Sequence, residues 1–263
     1  MQARVNDAVI YFEIEGPENS PVVTFSHSLA ATLDLWDFQA AALRESYRVL
    51  RFDIRGHGKS SIPPGPYSME KLAADAAGLL DYLDIRRTHF VGISLGGMIG
   101  QVLALRFPLR VEKLVLCDTA CRVPSEMLPV WRERIRMAET EGMSALAQET
   151  LERWLSEDFR RNRPGISERI KNMIVRTPVP GYVECSRCIG EFDISRELSK
   201  VTVPTLIMVG EMDLSTPVSA AEAIHEKIRN SELVVIPGAL HLTNVETAAF
   251  FNDRLLDFLA KGT

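Results

Sequence analysis

Six short runs of branched apolar residues punctuate the chain: VVTFS from Val22, YRVLRFD from Tyr47, THFVGI from Thr88, EKLVLCD from Glu112, PTLIMVG from Pro204 and LVVIPG from Leu233. A strand with one wet face alternates apolar and polar residues, whereas these runs are nearly continuous. They predict strands buried on both faces of a parallel sheet. Parallel neighbours need crossovers, and helical spacing fills the gaps in Leu35–Ser46, Ser68–Ile85, Leu95–Phe107, Ser219–Asn230 and Thr243–Ala260. Ser68 stands three residues before Lys71, where a helix cap belongs. Alternation in AVIYFEIE, behind an Asn6-Asp7 turn, suggests a short antiparallel meander at the N-terminus. The chain reads as an α/β protein with a doubly wound, mostly parallel sheet and flanking helices.

One stretch departs from this rhythm. From Arg122 to Leu198 the strand-like runs stop, and MLPVWRERIRMAETEG, MSALAQETLERWL and PGISERIKNMIV read as amphipathic helices. The expected organisation is therefore a core made of residues 1–121 and 199–263, with residues 122–198 inserted as a helical cap.

Gly92-Ile93-Ser94-Leu95-Gly96 matches the G-x-S-x-G pattern, and its surroundings give it meaning. A strand ends at Ile93 and a helix begins behind Ser94, so the serine falls on a sharp strand-to-helix turn with small neighbours. A hydroxyl is a weak nucleophile at neutral pH. It needs a histidine to take its proton and a carboxylate to fix that histidine's tautomer. In hydrolases with such an elbow the order is Ser, acid, His, with acid and histidine behind late strands. Asp213 follows PTLIMVG and His241 follows LVVIPG, which meets both demands, while Glu211 and Asp118 are competing acids. The expected oxyanion donors are the backbone N–H groups of Leu95, behind the nucleophile, and Leu29, in the loop after VVTFS. His27 in that loop orients it or lines the pocket. His57, in DIRGHGKS, reads as part of a structural turn in which Asp53 and Arg55 can pair.

Composition narrows the partners. With 30 Lys and Arg against 35 Asp and Glu the net charge is -5, and no basic cluster is dense enough to track a phosphate backbone. No apolar stretch approaches a membrane span, and the N-terminus lacks the pattern of a secretion signal, so a cytoplasmic location is expected. The four cysteines fall into two close pairs, Cys117 with Cys121 and Cys185 with Cys188. Such pairs invite a zinc reading, but no glycine-rich knuckle surrounds them, and reduced structural thiols are expected. No metal or organic cofactor is called for.

With these residues in place the chain resembles the 3-oxoadipate enol-lactonases of the α/β-hydrolase superfamily. The likeness runs through SHSLAATLDLWDFQ, FDIRGHGKS, GPYSMEKLAADAAGLLDYLDI, GISLGGMIGQ, LERWL, TPVPGYVECSRCIGEFDIS and PGALHLTNVE. Two departures stand in the oxyanion loop: His27 where that family usually has Asn, and Ala30 where it usually has Gly. The resemblance implies the α/β-hydrolase fold, the triad Ser94, Asp213 and His241, and a small carboxylate-bearing lactone as substrate. Arg153 is then the matching cation for the carboxylate, and Trp154 a wall of the pocket. A general carboxylesterase, a C–C bond hydrolase of ring-cleavage products, or a small-molecule receptor on the same fold are the alternatives.

Overall fold

The computed structural model describes residues 1–262. Its eight strands are β1 (Gln2–Val5), β2 (Ala8–Glu15), β3 (Val22–Ser26), β4 (Arg48–Phe52), β5 (Thr88–Ile93), β6 (Val111–Cys117), β7 (Thr205–Gly210) and β8 (Ser231–Ile236). They form one sheet in the order β1-β2-β4-β3-β5-β6-β7-β8. The first two strands make an antiparallel meander, turning at Asn6 with φ 52°, β2 also pairs antiparallel with β4, and the pairings from β4 across to β8 are parallel.

The helices are α1 (Asp37–Leu43), α2 (Met69–Tyr82), α3 (Leu95–Arg106), α4 (Leu128–Glu141), α5 (Met143–Trp154), α6 (Glu157–Asn162), α7 (Pro164–Arg176), α8 (Val179–Gly190), α9 (Val218–His225), α10 (Thr243–Glu246) and α11 (Ala248–Ala260). The Ser68 side chain caps α2 by accepting from the Lys71 N–H at 3.1 Å. Helix α3 is apolar almost all round, and it accordingly packs between the sheet and α2. Helices α4 to α8 occupy the whole interval between β6 and β7, apart from one bridge pairing Arg122 with Asp193.

One strand differs from its sequence pattern. LVVIPG reads as sheet interior, but β8 is the sheet's edge, paired only with β7, and Val235 is exposed. Apolar content alone does not distinguish an edge strand from a central one, because each face can still be partly covered by helices. Position in the sheet matters more for function. The chain runs from β3 out to β4 and then back across to β5, so the direction of winding reverses beside β3. Sheets of this kind bind ligands at the carboxyl ends of the strands at such a reversal, and the loops after β3 and β5 carry Leu29 and Ser94.

Candidate active site

Ser94 is held in a backbone conformation that few residues with a side chain adopt, φ 54° and ψ −116°. Its neighbours explain how the turn closes. A Cβ on Gly92 would lie 2.1 Å from the Gly96 carbonyl oxygen, and one on Gly96 would lie 2.1 Å from the Ser26 carbonyl oxygen, so both positions exclude any side chain. The turn is fastened to the loop after β6: the Ser94 N–H donates to the Cys117 carbonyl at 2.9 Å, and the Thr119 hydroxyl donates to the Ser94 carbonyl at 2.8 Å.

Among the three acids compatible with the sequence, Asp213 is the one against the histidine. His241 Nδ1 lies 2.8 Å from Asp213 Oδ2, with both side chains buried. Three further donors hold this carboxylate: the Thr216 hydroxyl on Oδ2 at 2.7 Å, and the N–H groups of Ser215 and Thr216 on Oδ1 at 2.7 and 3.1 Å. Burial pushes the Asp213 carboxyl up, but the His241 imidazole and these hydrogen bonds outweigh it and hold the group below its ordinary value. A carboxylate on Nδ1 fixes the proton there and leaves Nε2 free to accept. Glu211 instead accepts from the Gly238 N–H, and Asp118 accepts from the Gly210 N–H and shares a hydrogen bond with the Thr243 hydroxyl.

The loop after β3 is clasped from behind. Ala30 takes a positive φ of 59° and gives its N–H to His57 Nε2 at 3.1 Å. Leu33 gives its N–H to Asp53 Oδ1, and the Ile54 N–H donates to His27 Nε2 at 3.0 Å. The Leu29 N–H has no partner among the described residues, and Leu95 is the first residue of α3, where an N–H has no intrahelical acceptor. Both leucines therefore keep a donor for an oxyanion. His27 is fully buried behind this loop and is not on the cavity wall, which corrects its reading as a pocket residue. Its Nδ1 faces the Ser28 carbonyl at 2.7 Å and its Nε2 is engaged by the Ile54 N–H of the strap that follows β4, so neither nitrogen reaches a substrate. The proposed pairing of Asp53 with Arg55 is likewise corrected. Arg55 points the other way, to Asp75 and Asp7, and Asp53 spends both oxygens on the N–H groups of Leu33 and Lys59.

Ser94 and His241 open onto a cavity of about 360 Å³ between the sheet and helices α4 to α8. Leu29, Arg153 and Trp154 also line it. The Trp154 ring centroid lies 6.3 Å from that of His241, and the Trp154 carbonyl accepts from the Leu242 N–H, which ties α5 to the histidine loop. Arg153 is partly engaged already, with Nη1 3.2 Å from Glu149 and Nη2 3.3 Å from the Thr150 hydroxyl. The structure adds a cation that the sequence reading missed. Arg134 on α4 lines the same cavity, its guanidinium 5.2 Å from the Trp131 ring centroid, with no ion pair or hydrogen bond among the described residues. Burial pulls its pKa below the ordinary guanidinium value. The only signal in WRER was the aromatic-to-Arg spacing of three along a helix, which most surface helices could also show.

The four cysteines are free and buried, and among the described residues no group of three or more His, Cys, Asp or Glu is placed to hold a metal ion. No helix of the described residues is long and apolar enough to cross a membrane.

Residues 21–248 match the family model of the alpha/beta hydrolase fold. The chain is 33% identical over 246 residues to 3-oxoadipate enol-lactonase 2 of Acinetobacter baylyi, covering 94% of this chain and 91% of that protein. The crystal structure of the enol-lactonase from Burkholderia xenovorans superposes with a TM-score of 0.96 at 37% identity, covering 99% of this chain and 100% of that one. A malate-bound thermophilic esterase from Thermogutta terrifontis superposes with a TM-score of 0.89 at 30% identity, covering 96% of this chain and 93% of that one. With an elbow serine, a buried Asp-His pair and this likeness along nearly its whole length, the chain belongs to the α/β-hydrolase family and is similar within it to the 3-oxoadipate enol-lactonases.

Proposed function

We propose that this hydrolase opens a small carboxylate-bearing lactone of the 3-oxoadipate enol-lactone type, as used in aromatic catabolism, through an acyl-enzyme. His241 Nε2 takes the Ser94 proton as Ser94 Oγ attacks the lactone carbonyl, and the Leu29 and Leu95 N–H groups receive the oxyanion. Collapse breaks the ring C–O bond. The leaving enol oxygen takes the proton from His241 and tautomerises to a ketone while still tethered to the acyl group. Water, activated by the same histidine, then releases the acid and restores Ser94.

The observation that carries the substrate class is Arg134. A half-buried guanidinium on the cavity wall, with no ion pair or hydrogen bond among the described residues, is a binding site for an anion, and a carboxylate fits its planar fork. Arg153 stands at the same cavity as a second cation. The two enol-lactonase relatives support the lactone, and the malate-bound esterase is an instance of a carboxylate ligand on a similar chain.

A general carboxylesterase is the second reading, favoured by the apolar remainder of the wall, with Met98, Met127, Met143 and Ile174. Steady-state kinetics on the enol-lactone beside a neutral aryl ester of similar size separates them, with Ser94→Ala as the blank. The lactone is expected to show the higher kcat/KM. Preference for the neutral ester, with no turnover of the lactone, would replace the first reading by the second.

A further inference from the structure

Asp118 is the buried carboxyl that the reaction above leaves unused. It follows β6 with a positive φ of 44° and is fully buried. Its Oδ1 accepts from the Gly210 N–H at 2.9 Å, where β7 ends and the loop to Asp213 begins. Its Oδ2 lies 2.5 Å from the hydroxyl of Thr243, two residues beyond His241. One carboxyl thus spans the loops of the acid and the base. The residues on either side of it, Cys117 and Thr119, hold the Ser94 turn through its N–H and its carbonyl.

No lysine, arginine or histidine pairs with Asp118 among the described residues, whereas Asp213 nearby is paired with His241. Two carboxyl groups sharing a dry region with only a neutral imidazole beside them cannot both ionise cheaply, and the one without the histidine's N–H keeps its proton. The groups facing Asp118 are the anionic Asp213, the Cys117 thiol beside it and the neutral Thr243 hydroxyl. None of them supplies a positive charge. We infer that Asp118 is a positioning residue, a neutral carboxylic acid whose Oδ2–H donates to the Thr243 oxygen while Oδ1 accepts from Gly210, so that it ties the loop of Asp213 to the loop of His241 and fixes their mutual distance. Burial and the Asp213 charge push its carboxyl well above the ordinary carboxylate range, against the pull of its hydrogen bonds to Thr243 and Gly210.

The inference rests on Ser94, Asp213 and His241 as the reacting set but not on the lactone. Its test therefore uses a serine-directed phosphonate and an aryl ester. Asp118→Asn keeps an oxygen for the Gly210 N–H and offers an N–H to Thr243. It is expected to label at Ser94 within about threefold of the parent rate, with the acid limb of its pH–rate profile unmoved. It should also lose the infrared C=O band of a protonated carboxyl seen in the parent at neutral pH. Asp118→Ala and the gentler Thr243→Val loosen the loops. The first should slow labelling and kcat by roughly 10- to 100-fold with KM little changed, as misplacement of a reacting group does.

An acid limb that moves in Asp118→Asn by more than about half a unit means that a charge was removed and overturns the neutral acid. So does a carboxyl band that survives the substitution. Alanine and valine variants that fold and label at the parent rate overturn the positioning role; if the alanine variant does not fold, Thr243→Val alone decides it. A parent protein that fails to label at Ser94 would instead refute the triad itself.

Discussion

Ser94 and His241 could be placed from the sequence because each sits at a strand end and the elbow tolerates only glycine at positions 92 and 96. Choosing the acid was harder, because Asp118 and Asp213 both follow strands and no periodicity says which carboxyl reaches a histidine 28 residues beyond Asp213. The strand order decides it: β7, ahead of Asp213, pairs with β8, ahead of His241, while β6, ahead of Asp118, lies one strand further off. Arg134 was invisible for a different reason: a single arginine on an amphipathic helix normally belongs to the wet face, and only packing shows that this one lines the cavity. Three arginines line the cavity, Arg122, Arg134 and Arg153, and the two carried by helices α4 and α5 can be ranked. Arg153 is ion-paired with Glu149, while Arg134 feels Glu149 only at longer range and makes no ion pair among the described residues. Arg134→Ala should therefore lower kcat/KM on the carboxylate-bearing lactone by roughly 10- to 100-fold, the cost of about 1.5–3 kcal/mol for a hydrogen bond to a charged group. It should leave a neutral ester within a few-fold. Arg153→Ala should cost less on the same pair. Parallel losses on both substrates in Arg134→Ala would make this arginine a packing residue.

At the level of elements, the helical insertion was recognisable because its period changes from that of strands to that of helices, but its seating on the core was not. Its tightest backbone contact is made through Gly181 of α8, whose Cβ, were there one, would lie 2.0 Å from the Gly56 carbonyl oxygen and 2.6 Å from the Gly56 Cα. Gly56 itself has φ +78° and belongs to the strap that clasps the oxyanion loop. Backbone thus meets backbone, and neither side can swing away as a long side chain would. Gly181→Ala should force α8 off the strap and destabilise the protein by about 1–3 kcal/mol, as overpacking does. Gly165→Ala is the matched control: a Cβ there meets nothing within 4 Å, and in the first turn of α7 alanine should be neutral or stabilising by up to ~1 kcal/mol. Urea or thermal unfolding of the two variants checks the pair. Equal stabilities would mean that α8 adjusts freely and that the Gly56–Gly181 approach does not seat the insertion.

The whole molecule carries its buried titratable groups in two opposed sets, and their signs determine how stability follows pH. Burial pushes His27 down to about 3 and His57 down to about 4, so the unfolded chain binds protons below its ordinary histidine pKa that the folded one refuses. That set loses stability as pH falls from about 6.5. Asp53, raised to about 6 by burial, and Asp118, raised further, bind protons in the folded state that the unfolded chain has released above about 4. They gain stability over the same fall in pH and offset part of the loss, but His89, also lowered by burial, makes three histidines against two carboxyls, so the acid side should slope gently downward. No such balance exists at alkaline pH. All four thiols are buried and raised, Cys188 to about 12, while the unfolded thiols ionise near ~8.5. The folded state then holds more protons, and each thiol lowers stability by up to about 1.4 kcal/mol per pH unit as pH rises through that window. Lys113, lowered by burial, works the other way but is one group against four. The melting temperature in reductant should therefore fall only modestly from pH 6.5 to 5 and drop steeply between pH 8.5 and 10. A melting temperature that held level to pH 10 would mean that the thiols ionise as readily folded as unfolded, and the packing around Cys117 and Cys185 would then have to admit water.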